Sequence, residues 1–103
     1  MMKITFKGLV RPLSFTFNSF KYMEEFDISI LNEVETKPFK IVQVLTQLLY
    51  GALNSNPKEY VSEDDVTEFL EEYIETGVVT DLLEELVNLL QESSFFKSLQ
   101  KNQ

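Results

Sequence analysis

The chain has 103 residues, 44% hydrophobic and 25% charged, a balance that excludes wholesale disorder and suits one folded domain spanning 1–103. It contains no His and no Cys, which excludes Ser-His-Asp triads, thiol nucleophiles, disulfide scaffolds and most zinc sites. A net charge of −8 argues against binding to phosphate backbones, so no nucleic-acid partner is expected.

Residues 1–17 read as a β-hairpin. Ile4 and Phe6 alternate with Lys3, Thr5 and Lys7, while Leu13, Phe15 and Phe17 alternate with Ser14 and Thr16; Gly8 to Pro12 supply the turn. A two-stranded hairpin is marginal alone, so its apolar face must pack on the helices that follow. Asn18 is placed to cap a short helix from Ser19 to about Phe26, with Phe20, Met23 and Phe26 at helical spacing. Residues 27–36 are ambiguous between loop, strand and helical turn.

Thr36 and Pro38 open a helix expected to reach Leu53, with Ile41, Val42, Leu45, Leu48, Leu49 and Ala52 on a broad buried face. Asn54-Ser-Asn-Pro57 ends it. Ser62, followed by Asp65, has the form of a capping box. The helix it opens is expected to bury Val66, Phe69, Leu70, Tyr73 and Ile74 and to expose Glu68, Glu71, Glu72 and Glu75, with Gly77 as its stop. A last long helix, about 78–91, aligns Val79, Leu82, Leu83, Leu86, Leu89 and Leu90, and its acids fall in the first half, where the helix dipole favours them. Ser93-Ser94 interrupts, Phe95, Phe96 and Leu99 form an apolar segment, and 100–103 are polar. The expected fold is α+β, mainly α: an N-terminal β-hairpin packed on a bundle of three to four helices, with 18–99 as the helical part.

Charge is distributed unevenly along this layout. Residues 1–58 carry seven Lys and Arg against five acids, whereas 59–103 carry two Lys against twelve acids, all between Glu59 and Glu92. The row Glu68, Glu71, Glu72 and Glu75 is spaced for paired-carboxylate or magnesium chemistry, but no basic residue stands near it in sequence, and Ser62 to Glu72 lacks the glycine of a calcium loop. A solvated acidic surface is the expected reading. Three glycines, at 8, 51 and 77, cannot build a phosphate-binding loop. Neither enzyme activity nor a cofactor nor a metal site is expected. No apolar run approaches the roughly 18–20 residues of a membrane span, and the N-terminal residues lack a signal-peptide core, so a cytoplasmic protein without membrane partners is expected.

What remains is apolar and aromatic. Leu82, Leu86, Leu89, Phe95, Phe96 and Leu99 are the candidate protein-interaction residues, suited to an amphipathic partner helix or to self-association as a homo-oligomer.

The order of parts resembles the tail assembly chaperones of long-tailed bacteriophages and prophages. The likeness runs from the Met-Lys-Ile-Thr-Phe hairpin through the aromatic segment Phe15 to Phe26, the apolar helix ending at Leu53-Asn-Ser-Asn-Pro57 and the acidic Ser62-Glu-Asp-Asp-Val66 helix. It continues through Leu82-Leu-Glu-Glu-Leu-Val87 to the Ser-Ser-Phe-Phe-Lys97 segment. The resemblance implies a non-structural protein of the host cytoplasm, absent from the mature virion, that binds the tape measure protein and keeps it soluble. It also implies help in recruiting tail tube protein, often through a frameshifted longer form. A second expectation, drawn from the acidic run alone, is an inhibitor that mimics DNA against a host nuclease.

Overall fold

Lys7 and Gly8 both adopt left-handed backbone angles, with φ of 50° and 81°, and they form the two-residue turn of an antiparallel hairpin. This is the geometry that matches the twist of the flanking strands, and glycine supplies half of it without strain. The computed structural model describes residues 2–23 and 40–101, with side chains for all of these except 2, 95 and 99–101. Strand β1 is Met2–Phe6 and β2 is Leu9–Leu13, in the register Phe6 opposite Leu9, Ile4 opposite Arg11 and Met2 opposite Leu13.

The turn therefore shares only Gly8 with the expected Gly8 to Pro12, and the second strand ends where it was expected to begin. Pro12 explains the displacement. It reads as a strand breaker, yet a two-residue turn makes Phe6 and Leu9 a hydrogen-bonded pair. By alternation, Lys3 and Pro12 then form a non-hydrogen-bonded pair. The missing N–H of Pro12 faces away from β1, so the ladder loses nothing. Ile4, Phe6 and Leu13 turn toward the core, whereas Lys3, Thr5, Val10 and Pro12 face solvent.

Helix α1, Phe17–Tyr22, starts two residues earlier than expected, and its cap is Thr16 instead of Asn18. The Thr16 side chain accepts from Ser19 N–H, and Ser19 Oγ accepts in return from Thr16 N–H at 3.0 Å. Asn18 is turned elsewhere: its Nδ2 donates to the Asn54 carbonyl at 2.7 Å. The helix also ends earlier than expected, at Tyr22, with Met23 as its C-cap donating its N–H to the Phe20 carbonyl; residues 24–26, the segment 27–36 and the opening Thr36-Lys-Pro38 lie outside the described residues.

Helix α2, Lys40–Leu53, is the central element. Val44, Leu45, Leu48, Leu49, Ala52 and Leu53 are buried on it, Ile41 is half-buried, and Val42 is exposed. Val42 was expected inside; in its place Val44 takes the core position, because the buried arc is centred on Leu48 and includes 44, 45, 48, 49 and 52. Gly51 allows a close approach, since a Cβ there would collide with the Met23 side chain.

Helix α3, Glu63–Thr76, is capped by Ser62, whose Oγ accepts from Asp65 N–H at 3.2 Å. Val66 and Leu70 are buried and Phe69 and Tyr73 half-buried, as the periodicity predicts; Ile74 is 57% exposed, against expectation, at the rim of that arc. Gly77 ends α3 with extended backbone, not a left-handed cap, and a side chain there would strike the Tyr73 ring. Helix α4, Val79–Glu92, buries Leu82, Leu86 and Leu90 on one stripe. Helix α5, Ser94–Lys101, includes Gln100 and Lys101, which were expected in a polar tail, and it packs against α4.

The result is the expected class: an α+β, mainly helical fold with a two-stranded hairpin at its N-terminus. No described helix is long and apolar enough to cross a membrane. One core joins Phe6, Leu13 and Phe15 to the buried faces of α2, α3 and α4.

Candidate interaction surface

Among the described residues every acid except Glu59 lies on α3 or α4, and the hairpin closes one end of this acidic surface. Glu68, Glu71, Glu72 and Glu75 are all exposed along α3, as expected, and Asp81, Glu84, Glu85 and Glu92 are exposed along α4. Two cross-chain ion pairs are made among the described residues, and both come from the hairpin. Lys7 Nζ meets Asp65 Oδ1 at 2.7 Å, and the Arg11 guanidinium lies 3.7 Å from the Glu59 carboxylate while donating to the Glu59 carbonyl at 3.2 Å. The hydrogen bond from Lys7 holds the Asp65 carboxyl below its ordinary range, and the same bond raises the Lys7 ammonium. Both ends are solvent-exposed, so the pair positions the hairpin more than it stabilises the fold.

Beside that pair, Phe6, Lys7, Asp65, Glu68, Phe69 and Glu72 line an open notch of about 150 Å³. Its floor is aromatic: the Phe6 and Phe69 rings sit 5.8 Å apart, tilted by 46°, and Phe69 stacks in turn on Tyr73 at 5.9 Å. Beside the Lys7–Asp65 pair, its rim carries two further carboxylates, Glu68 and Glu72, one helical turn apart on the same face. The notch offers apolar contact below and negative charge above, a combination suited to the stem and head of a Lys or Arg side chain.

The candidate apolar residues divide into three groups. Leu82 and Leu86 are 3% and 0% exposed, so they hold the core and offer nothing to a partner in this conformation. Leu89 and Phe96 are half-buried and pack on the core edge. The side chains of Phe95 and Leu99 lie outside the described residues. Leu83 and Val87, both half-buried, flank the Leu82–Leu86–Leu90 stripe of α4 on the side opposite Leu89.

The polar centre of the molecule is Asn54, which the sequence suggests only as a helix terminator. It is 1% exposed. Its Nδ2 donates to the carbonyls of Tyr50 and Val61, both at 2.9 Å, and its Oδ1 accepts from Val61 N–H at 2.8 Å. The bend from α2 into α3 is thus fixed by one side chain. Thr16 Oγ1 adds a bond to the Ser55 carbonyl at 2.8 Å. Outside the bend, Tyr22, Tyr50 and Tyr60 pack together with centroid separations of 5.5, 5.5 and 6.5 Å, and the hydroxyls of Tyr50 and Tyr60 meet at 3.2 Å. Burial, then this hydroxyl contact, pushes the Tyr50 phenol well above its ordinary value.

Among the described residues no three His, Cys, Asp or Glu side chains are grouped to hold a metal ion. Comparison with protein-family models, with curated proteins and with solved structures finds no match to the chain.

Proposed function

We propose that the protein is a phage tail assembly chaperone: it binds the tape measure protein, keeps its helical segments soluble, and helps recruit tail tube subunits in the host cytoplasm. The observation that carries this reading is the exposed carboxylate field of α3 and α4 bordering the apolar floor of the Phe6–Phe69 notch, with half-buried apolar side chains on both flanks of the buried α4 stripe, Leu83 and Val87 on one and Leu89 on the other. Acidic surface beside accessible apolar surface suits reversible grip on amphipathic helices: the apolar part supplies contact and the charge keeps the complex dispersed. The layout resemblance to tail assembly chaperones supplies the client. Non-catalytic binding, with neither cofactor nor metal, belongs to the same reading.

The test is co-expression with the tape measure protein of the adjacent gene, followed by light scattering of the purified material. A soluble complex with several copies of this chain per client is the expected outcome. A client that stays insoluble with or without this protein overturns the reading.

The second reading, an acidic inhibitor that mimics DNA, is favoured by one observation: Glu68, Glu71, Glu72 and Glu75 are all exposed along one helix. Under it, reversing these four to Lys abolishes inhibition of a nuclease, and inhibition that survives the reversal excludes charge mimicry.

A further inference from the structure

The two edges of the hairpin are not equivalent. A two-residue turn makes Phe6 and Leu9 a hydrogen-bonded pair, so Ile4–Arg11 and Met2–Leu13 are hydrogen-bonded too. The N–H and C=O groups of Thr5 and Lys3 therefore point out from β1, and those of Val10 and Pro12 point out from β2. On β2 one of the two outward donors does not exist, because Pro12 has no N–H. That edge cannot accept a full strand. On β1 both outward donors and both acceptors are intact, Lys3 and Thr5 are exposed, and neither makes a hydrogen bond to a described residue outside the hairpin.

The β1 edge is also complementary to itself. Consider two copies related by a two-fold axis with Ile4 opposite Ile4 of the second copy. Lys3 then lies opposite Thr5 of the second copy, and Thr5 opposite its Lys3. These are the residues whose backbone groups point outward, so the pairing makes four hydrogen bonds and leaves none of the outward groups between them unmatched. On the core-facing side Ile4 meets Ile4. The two neighbouring two-fold registers instead set Lys3 against Lys3, or Thr5 against Thr5 with Lys3 opposite Lys7, and like charges directly opposite are unfavourable. Alternation, charge and the blocked β2 edge thus select one arrangement.

We infer that the protein self-associates through β1, two hairpins joining into a four-stranded antiparallel sheet with Ile4 at the axis. This does not depend on the chaperone reading, and it is read without any client. A short strand contact is small beside the 1,200 Å² or more of a stable interface, so the association is weak and concentration-dependent. In an assembly of many copies along one long client, weak contacts of this kind act together.

The experiment is sedimentation of the full chain over a concentration series at low salt. Thr5→Glu places a carboxylate opposite Lys3 of the second copy and tightens the dimer; Thr5→Lys places like charges there and weakens it. The expected difference between the two variants is roughly tenfold in dissociation constant, from two pairs per dimer. Thr5 is exposed, so neither change threatens the fold. The matching substitutions at Val10, exposed on the other edge, have no effect. In a second measurement, Lys3→Cys and Thr5→Cys chains are mixed in this cysteine-free background: the mixed disulfide forms in preference to either homodimer. A protein that is monomeric at every concentration overturns the inference. So does a dimer indifferent to Thr5 charge, one that responds at Val10, or one that cross-links Lys3→Cys to itself.

Discussion

Lys7 Nζ and Asp65 Oδ1 meet at 2.7 Å across 58 residues, joining the turn of the hairpin to the first turn of α3. Asp65 is already held by the Ser62 cap, so one carboxylate serves the start of a helix and the tip of a hairpin. Its pKa is lowered, chiefly by the Lys7 hydrogen bond. A carboxylate with a lowered folded-state pKa contributes stability that is present above its unfolded value and disappears as pH falls through the folded one. Amide exchange in β1 and β2 should therefore accelerate as pH is lowered below about 4, beyond the intrinsic pH dependence. In Asp65→Asn this extra acceleration should be absent, with the hairpin already loosened at neutral pH. Equal protection in both proteins across the acid range would show that the ion pair does not anchor the hairpin.

Asn54 should be the most costly polar position to change. Asn54→Ala removes three hydrogen bonds and leaves the buried Val61 N–H without an acceptor. An orphaned buried donor costs about 1–3 kcal/mol, and the lost bonds add to it, so a loss of about 2–4 kcal/mol is expected in urea unfolding. Asn56 is exposed and its side chain accepts from Lys58 N–H alone among the described residues, so it should lose less than about 1 kcal/mol on the same change.

Gln47 should behave in the opposite way. Its Nε2 donates to Glu63 at 3.1 Å, but its Oε1 is buried without a partner. An unmatched buried acceptor is a standing cost, and Met has nearly the same shape without it. Gln47→Met is expected to be neutral or to raise stability by up to about 1 kcal/mol. A clear loss would mean that the Glu63 contact outweighs the orphaned oxygen.

The alkaline limb should be set in part by Tyr50. Its raised pKa means that the unfolded chain gives up the phenolic proton first, so stability is full below about pH 10 and falls as pH rises above it. Lys7, also raised, acts in the same direction. Melting temperatures of the wild type and Tyr50→Phe should run in parallel up to pH 9 and then converge or cross as the wild type loses ground. Parallel curves to pH 11 would exclude Tyr50 as the source.

The class of fold and the acidic face are legible because they rest on periodicity, which is local. Val66, Leu70, Leu82, Leu86 and Leu90 recur at helical spacing and are buried; Glu68, Glu71, Glu72 and Glu75 recur on the opposite side and are exposed. What is not legible depends on partners distant in sequence. Pro12 reads as a turn residue because its harmlessness depends on which way its missing N–H faces. By type Asn18 is a better cap than Thr16, but it is diverted by the Asn54 carbonyl 36 residues away. Val42 and Val44 are the same residue type two positions apart, and only the packing of the other elements against α2 decides which is inside. The notch is missed for the same reason, since Phe6 and Phe69 lie on the first and third quarters of the chain.

The functional reading turns on separating the fold from the surface. Leu86→Ala creates a cavity at a fully buried site and should cost about 2–5 kcal/mol, and any loss of client binding would follow from unfolding. Glu68→Lys with Glu72→Lys changes only exposed side chains at the rim of the notch, so the melting temperature should stay within a few degrees of wild type. If the notch takes Lys or Arg side chains of the client, the double variant should fold normally yet leave most co-expressed tape measure protein in the pellet. Phe69→Ser, which opens the aromatic floor, should fail in the same assay, but with a measurable loss of stability because Phe69 packs on Phe6 and Tyr73. A double variant that solubilises the client as well as wild type does would move the grip to the half-buried flanks of α4, where Val87→Ser on one side and Leu89→Ser on the other are the corresponding changes.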